Sequence, residues 1–112
     1  MAALNSFSSS VFVELWVSLA SLLRSYTAAH GLNGNRQATV ELGEERITVR
    51  HDDAWLDLKR QDAIVTWKRE DGSSGTLQLT EAGTLRGVGL NGELVEEEMD
   101  MAAEAWAREL MR

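Results

Sequence analysis

The chain has 112 residues, enough for one hydrophobic core, and its 44% apolar and 26% charged residues are those of a folded domain rather than a disordered segment. It has no cysteine, which removes disulfides, thiolate zinc sites and cysteine nucleophiles together. A net charge of -7 and a pI near 4.7 exclude a general nucleic-acid binder, whose surface must concentrate cations against phosphate, and leave room for a basic partner or a divalent cation.

The first element is announced by "VFVELWVSLASLL", which imitates the apolar core of a secretory signal. No Lys or Arg precedes it and Glu14 interrupts it, so it is read instead as a structural helix over about 6–30 in a cytoplasmic chain. Its apolar run is also too short and too broken by serine to span a bilayer, and no membrane partner is expected. On a helical wheel Glu14, Ser18, Ser21 and Ser25 form a narrow polar stripe, opposite Phe12, Trp16, Leu19, Leu23 and Tyr26, with Leu15 and Leu22 alongside. Val13, Val17 and Ala20 widen the apolar arc beyond what one sheet needs, which predicts a homodimer formed through this helix. Gly31 supplies the C-terminal stop, and His30 sits where a helix end favours a cation.

From Gln37 the period changes to two. "QATVEL" alternates Ala38, Val40 and Leu42 against Gln37, Thr39 and Glu41, and "ERITVRH" alternates Ile47 and Val49 against Arg46, Thr48 and Arg50. "AWLDLKR" sets Leu56 and Leu58 against Trp55, Asp57 and Lys59. "AIVTWKR" is apolar on both phases, which suits a central strand and leaves its facing open. "TLQLT" turns Leu77 and Leu79 inward, and "TLRGV" supplies a weaker sixth strand. Turn-forming residues recur at Gly43-Glu44, 51–53, Gln61-Asp62, 71–75 and Ala82-Gly83, with no proline in the chain.

The last segment, "ELVEEEMDMAAEAWAREL", predicts a helix over about 92–111 with Asn91 as N-cap and glutamates at its positive end. Val95, Met99, Ala102, Ala103, Trp106 and Leu110 fall on one face, while Glu93, Glu97, Asp100 and Glu104 line the other, continued by Arg108. The predicted architecture is therefore a single α+β domain over 1–112. It runs from an N-terminal helix through an antiparallel meander of five or six strands over about 37–88 to a C-terminal helix. Both helices should pack on the one apolar face of the sheet.

That arrangement leaves the other face to carry function. Arg46, Thr48, Arg50, Trp55, Lys59 and Lys68 share it, a basic patch around a tryptophan on a protein that is acidic overall. Trp and Arg dominate interface hot spots, so the leading expectation is a non-enzymatic domain that binds a protein or peptide partner there. A second expectation is weak divalent-cation binding. It rests on His51, Asp52 and Asp53, where a histidine meets carboxylates, or on Glu97 and Asp100 of the acidic stripe. No acid/base pair or nucleophile can be assigned, so no catalytic residue and no cofactor are expected. "GVGLNG" lacks the ending and spacing of a phosphate loop, and the glutamates after it repel an anion.

The order helix, strand meander, helix, with "AWLDLKRQ" carrying an outward Trp55, resembles that of the frataxin family of iron-handling proteins. The resemblance implies a cation-binding α+β sandwich. In that family the acidic ridge lies on the first helix and first strand, whereas here the first helix holds only Glu14 and the acidic stripe belongs to the last helix. The likeness is one of element order, and membership does not follow from it.

Overall fold

The structure, a computed structural model, describes residues 2–31, 37–88 and 92–112. It contains α1 (Ala2–His30), β1 (Thr39–Leu42), β2 (Arg46–His51), β3 (Ala54–Gln61), β4 (Ile64–Arg69), β5 (Ser74–Leu79), β6 (Thr84–Val88), β7 (Leu94–Glu98) and α2 (Met99–Leu110). The strands form one antiparallel sheet in sequence order, β1 to β7, so the meander expected from the short turns is the observed topology.

Tight reversals explain that order. Asp52 and Asp62, each at the head of a two-residue turn, take positive φ values of 55° and 53°, a conformation that aspartate tolerates better than most residues. The β1–β2 turn closes through the Gly43 N–H donating to Arg46 O at 2.7 Å. The β5–β6 turn places Gly83 at a φ of 82°.

Two-residue alternation then sends one row of each central strand inward. Ile47 and Val49, Leu56 and Leu58, Val65, Leu79 and Leu85 are buried against Trp16, Leu19, Ala20 and Leu23 of α1 and Met99, Ala103 and Leu110 of α2. Both helices therefore lie on the same face, as expected, and each buried Leu, Ile, Val or Met side chain contributes about 1.5–3 kcal/mol by leaving water. The facing of β4, left open by its sequence, is settled by the core: Val65 and half-buried Trp67 point in, while Ile64 is exposed on the far side. Trp67 lies across Gly75 of β5, its register partner, where a Cβ would come within 2.6 Å of the indole nitrogen. Trp16 is fully buried and its indole N–H donates to Gly43 O at 3.3 Å, while the Arg60 guanidinium sits 5.9 Å from its ring centroid.

The first helix follows its wheel. Trp16, Leu19 and Leu23 are buried, Phe12, Leu15, Leu22 and Tyr26 pack against them, and Gly31 closes the end by donating to Thr27 O. Two features differ from expectation at the other terminus. Among the described residues the sheet has seven strands, not five or six, and the last helix starts at Met99, because Leu94–Glu98 forms β7. Glu93 and Glu97 consequently do not lie on a helix, and the expected N-cap, Asn91, falls outside the described residues.

The physical reason is tertiary pairing. The free edge of β6 offers a ladder to these residues, Arg86 stands opposite Glu96, and the Thr84 hydroxyl donates to the Glu96 carboxylate at 2.8 Å. Together they outweigh the preference of glutamate for a helix over a strand, which is worth only roughly tenths of a kcal/mol per residue. Glu98 becomes the N-cap without a side-chain bond, and the Met99 N–H is satisfied by Gly83 O at 3.1 Å. Trp106, placed in the core by the wheel, is only half-buried.

Candidate functional site: the open face of the sheet

With both helices on one side, the register fixes what lies on the other. Thr39, Arg50 and Trp55 form one cross-strand row, and Glu41, Thr48, Asp57, Lys68 and Ser74 form the next. Arg46, Lys59, Thr66 and Thr76 make a third, and Gln61, Ile64, Gln78, Arg86 and Glu96 a fourth. All six residues expected to bind a partner, Arg46, Thr48, Arg50, Trp55, Lys59 and Lys68, are thus brought onto one face.

The geometry within this face is less uniform than its composition. Asp57 is nearly buried, its side chain 12% exposed, although it sits on the open side of the sheet. Arg46 clamps it with two hydrogen bonds, Nε at 2.7 Å and Nη2 at 3.0 Å, and the Thr48 hydroxyl lies 3.5 Å away. That bond and the Asp57 charge push the Arg46 guanidinium further above its already high range. Arg46 is therefore committed internally, whereas Arg50, Lys59 and Lys68 make no ion pair among the described residues.

Arg46 and Lys59 face each other directly across β2 and β3. The Asp57 carboxylate already answers the Arg46 charge, so Lys59 is the cation of this pair left to an anion from outside. Two shallow concavities adjoin the pair. One, of 440 Å³, lies between Arg46, Arg50, Trp55 and the carboxylates of Asp52, Asp53 and Asp57; the other, of 570 Å³, is lined by Glu45, Arg46, Lys59, Ile64, Thr66 and Lys68. Ile64 belongs to this surface and was missed, yet its signal existed: it is in phase with Thr66 and Lys68 along β4. The Trp55 backbone N–H donates to the Glu70 carboxylate at 3.0 Å. Partial burial opposes the Glu70 charge, but this N–H and the Arg69 guanidinium outweigh it and hold the carboxyl below its usual range. Glu70 thereby anchors the strand that displays Trp55.

The residues considered for a cation are not brought together. His51 ends β2, Asp52 and Asp53 turn into β3, Glu97 lies on β7 at the sheet's far edge, and Asp100 opens α2. Among the described residues no group of three or more His, Asp or Glu side chains is placed to hold a metal ion. His51 Nδ1 is 3.1 Å from Leu110 O, a hydrogen bond in which the imidazole donates to a carbonyl at the end of α2. Asp100 and Glu104 are not simply the solvated side of that helix. The Tyr26 hydroxyl donates to Asp100 Oδ1, and His30 Nε2 meets Glu104 Oε2 at 3.0 Å, so they clasp α2 to α1. The bond to Asp100 raises the Tyr26 pKa, because the phenol must keep its proton to donate, and partial desolvation and the nearby carboxylates add to the rise.

No protein-family model, curated protein or solved structure matches this chain. Its frataxin-like feature thus remains an order of elements. Among the described residues no helix is long and apolar enough to cross a membrane.

Proposed function

We propose that this protein is a non-enzymatic interaction domain whose open sheet face binds a protein or peptide partner carrying carboxylates beside an apolar side chain. The observation that carries the reading is the sharing of one face by Lys59, Lys68 and Arg50, with Arg50 opposite a Trp55 that stays 37% exposed. Arg50, Lys59 and Lys68 supply uncommitted positive charge, and Trp55 and Ile64 supply apolar contact of the kind that anchors interfaces. Asp57 and its clamp on Arg46 hold the centre of the patch rigid, which lowers the entropy cost of binding.

The test is fluorescence anisotropy with labelled peptides that place glutamates around a leucine or phenylalanine, at low and high salt. Replacing Trp55 and Arg50 together by alanine should weaken binding at least tenfold while far-UV circular dichroism stays unchanged. Equal binding by that variant would remove this face from the reading.

A second reading, self-association through α1, is favoured by Val13 and Val17, which are 46% and 45% exposed side by side on a helix whose Trp16, Leu19 and Leu23 are buried. Light scattering behind size exclusion over a tenfold concentration range and at two salt strengths decides it. A salt-insensitive dimer that Val13→Ser with Val17→Ser dissociates supports the reading, and a monomer throughout ends it.

A further inference from the structure

The opposite edge of the sheet is unfinished on the helix-bearing side. Seven strands at about 4.8 Å spacing make a sheet about 29 Å wide, while two adjacent helices cover only about 20 Å. The part left uncovered is the end of β5–β7 that carries Leu77, Gly87 and Val95, beyond the buried Leu79 and Leu85. A groove of 370 Å³ opens there, floored by Leu77, Leu85 and Val95 and walled by Ala105 and Trp106 of α2. Val95 is 45% exposed in it. Gly87 keeps the floor low, since a Cβ there would meet Leu77 Cδ2 at 2.6 Å. β7 ends the strand order, so its outer row of backbone N–H and C=O groups has no ladder partner among the described residues.

We propose that this edge and groove take an extended, cationic segment of another protein as an eighth strand. Strand addition uses the unpaired backbone for affinity and alternate side chains for specificity, and both are laid out here. β7 reads Leu94, Val95, Glu96, Glu97, Glu98: two exposed apolar residues, then three carboxylates. Arg86 holds Glu96, whereas Glu97 and Glu98 make no ion pair among the described residues. An antiparallel strand that matches this order runs from cations to apolar residues. The side chain opposite Val95 enters the groove.

A second copy of this chain does not fit. Its own β7, paired in the register centred on Glu96, sets Glu96 against Glu96 and leaves the other glutamates without a cation. Its β1, Thr39–Leu42, carries Glu41 and no basic residue. The charge of the edge thus selects against self-pairing and for a basic heterologous strand. This site is separate from the open face, and its proposal does not rest on that reading.

The test uses a labelled peptide of three lysines followed by two valines, flanked by threonines, and the same peptide N-methylated at both valines. N-methylation keeps charge and side chains but removes two backbone donors. The unmodified peptide should bind at least tenfold more tightly than the N-methylated one. Glu97→Lys with Glu98→Lys, and separately Val95→Glu, should each weaken it at least tenfold in proteins with unchanged circular dichroism. Equal binding of the two peptides would mean attraction to an acidic protein without strand pairing, and would overturn the proposal. So would no binding at all, or binding that survives both the double-lysine and the Val95→Glu variants.

Discussion

The β2–β3 and β6–β7 hairpins are both antiparallel pairs, yet different forces hold them. In β2–β3 the inner row, Ile47, Val49, Leu56 and Leu58, is fully buried, so every second residue secures the pair. In β7 all five residues are exposed. That strand depends on its backbone ladder, on the Thr84 and Arg86 bonds to Glu96, and on the Met99–Gly83 contact that follows it. A strand can thus be specified by what it pairs with rather than by what it buries.

The largest test of this contrast is a matched pair of leucine truncations. Leu58→Ala should cost about 2–5 kcal/mol, because its fully buried site leaves a cavity. Leu94→Ala, at a side chain 78% exposed, should stay within about 0.5 kcal/mol. Denaturant titration of both variants measures the gap, and equal losses would mean that β7 contributes to the core after all.

The same contrast explains what the sequence made legible. Period-two alternation is a record of burial, so β2, β3 and the inward residues of β5 were readable. So was the 3.6-residue stripe of α1, from Trp16 through Leu19 to Leu23. The open face was readable for the same reason: once Ile47 and Leu58 point inward, Arg46 and Lys59 must point outward. β7 buries nothing and leaves no periodic trace. Glu97, spaced from Glu93 and Asp100 as a helix would space them, drew the strand into α2, because a ladder to Thr84–Val88 is not visible in local pattern. Asp57 was placed on the right face as a surface residue, but its burial depends on an Arg46 clamp that spacing alone does not reveal. Asp100 and Glu104 pointed away from the apolar stripe as expected, but their partners Tyr26 and His30 lie 74 residues away.

That clamp gives the next prediction in size. Arg46 is 58% exposed and Asp57 only 12%, so the two partners are not equivalent. Arg46→Met strands a nearly buried carboxylate with Thr48 at 3.5 Å and should cost about 1–3 kcal/mol. Adding Asp57→Leu should recover most of that loss, since the stranded group is removed. Thermal melts of the single and double variants decide it; no recovery in the double variant would show that the pair stabilises by more than mutual satisfaction.

A smaller effect concerns the clasp that seats α2 directly after β7. The folded-state pKa of Tyr26 lies above its ordinary value of 10.0, principally through the bond to Asp100. Its contribution is therefore fully present below pH 10 and is lost as the pH rises through the folded value. Tyr26→Phe should lower the melting temperature slightly at neutral pH and flatten the alkaline limb of a stability–pH profile, so that the two proteins converge at high pH. An unaltered alkaline limb would mean that the hydroxyl does not link the helices.

The smallest effect is the one that isolates β7. Thr84 and Arg86 hold the Glu96 carboxyl below its ordinary 4.5, so its contribution is present above that pH and disappears as the pH falls through the lower folded value. Because Glu96 is exposed, the consequence is local. Protection from hydrogen exchange at the amides of residues 94–98, taken relative to the intrinsic rate at each pH, should fall severalfold on acidification, while amides of β2 and β3 keep the protection of the buried core. Glu96→Gln should bring low protection at β7 already at neutral pH and remove its acid dependence, with no change in the global unfolding midpoint. If the β2–β3 amides lose protection in step with β7, the two hairpins open as one unit, and the division between buried and paired strands does not extend to their dynamics.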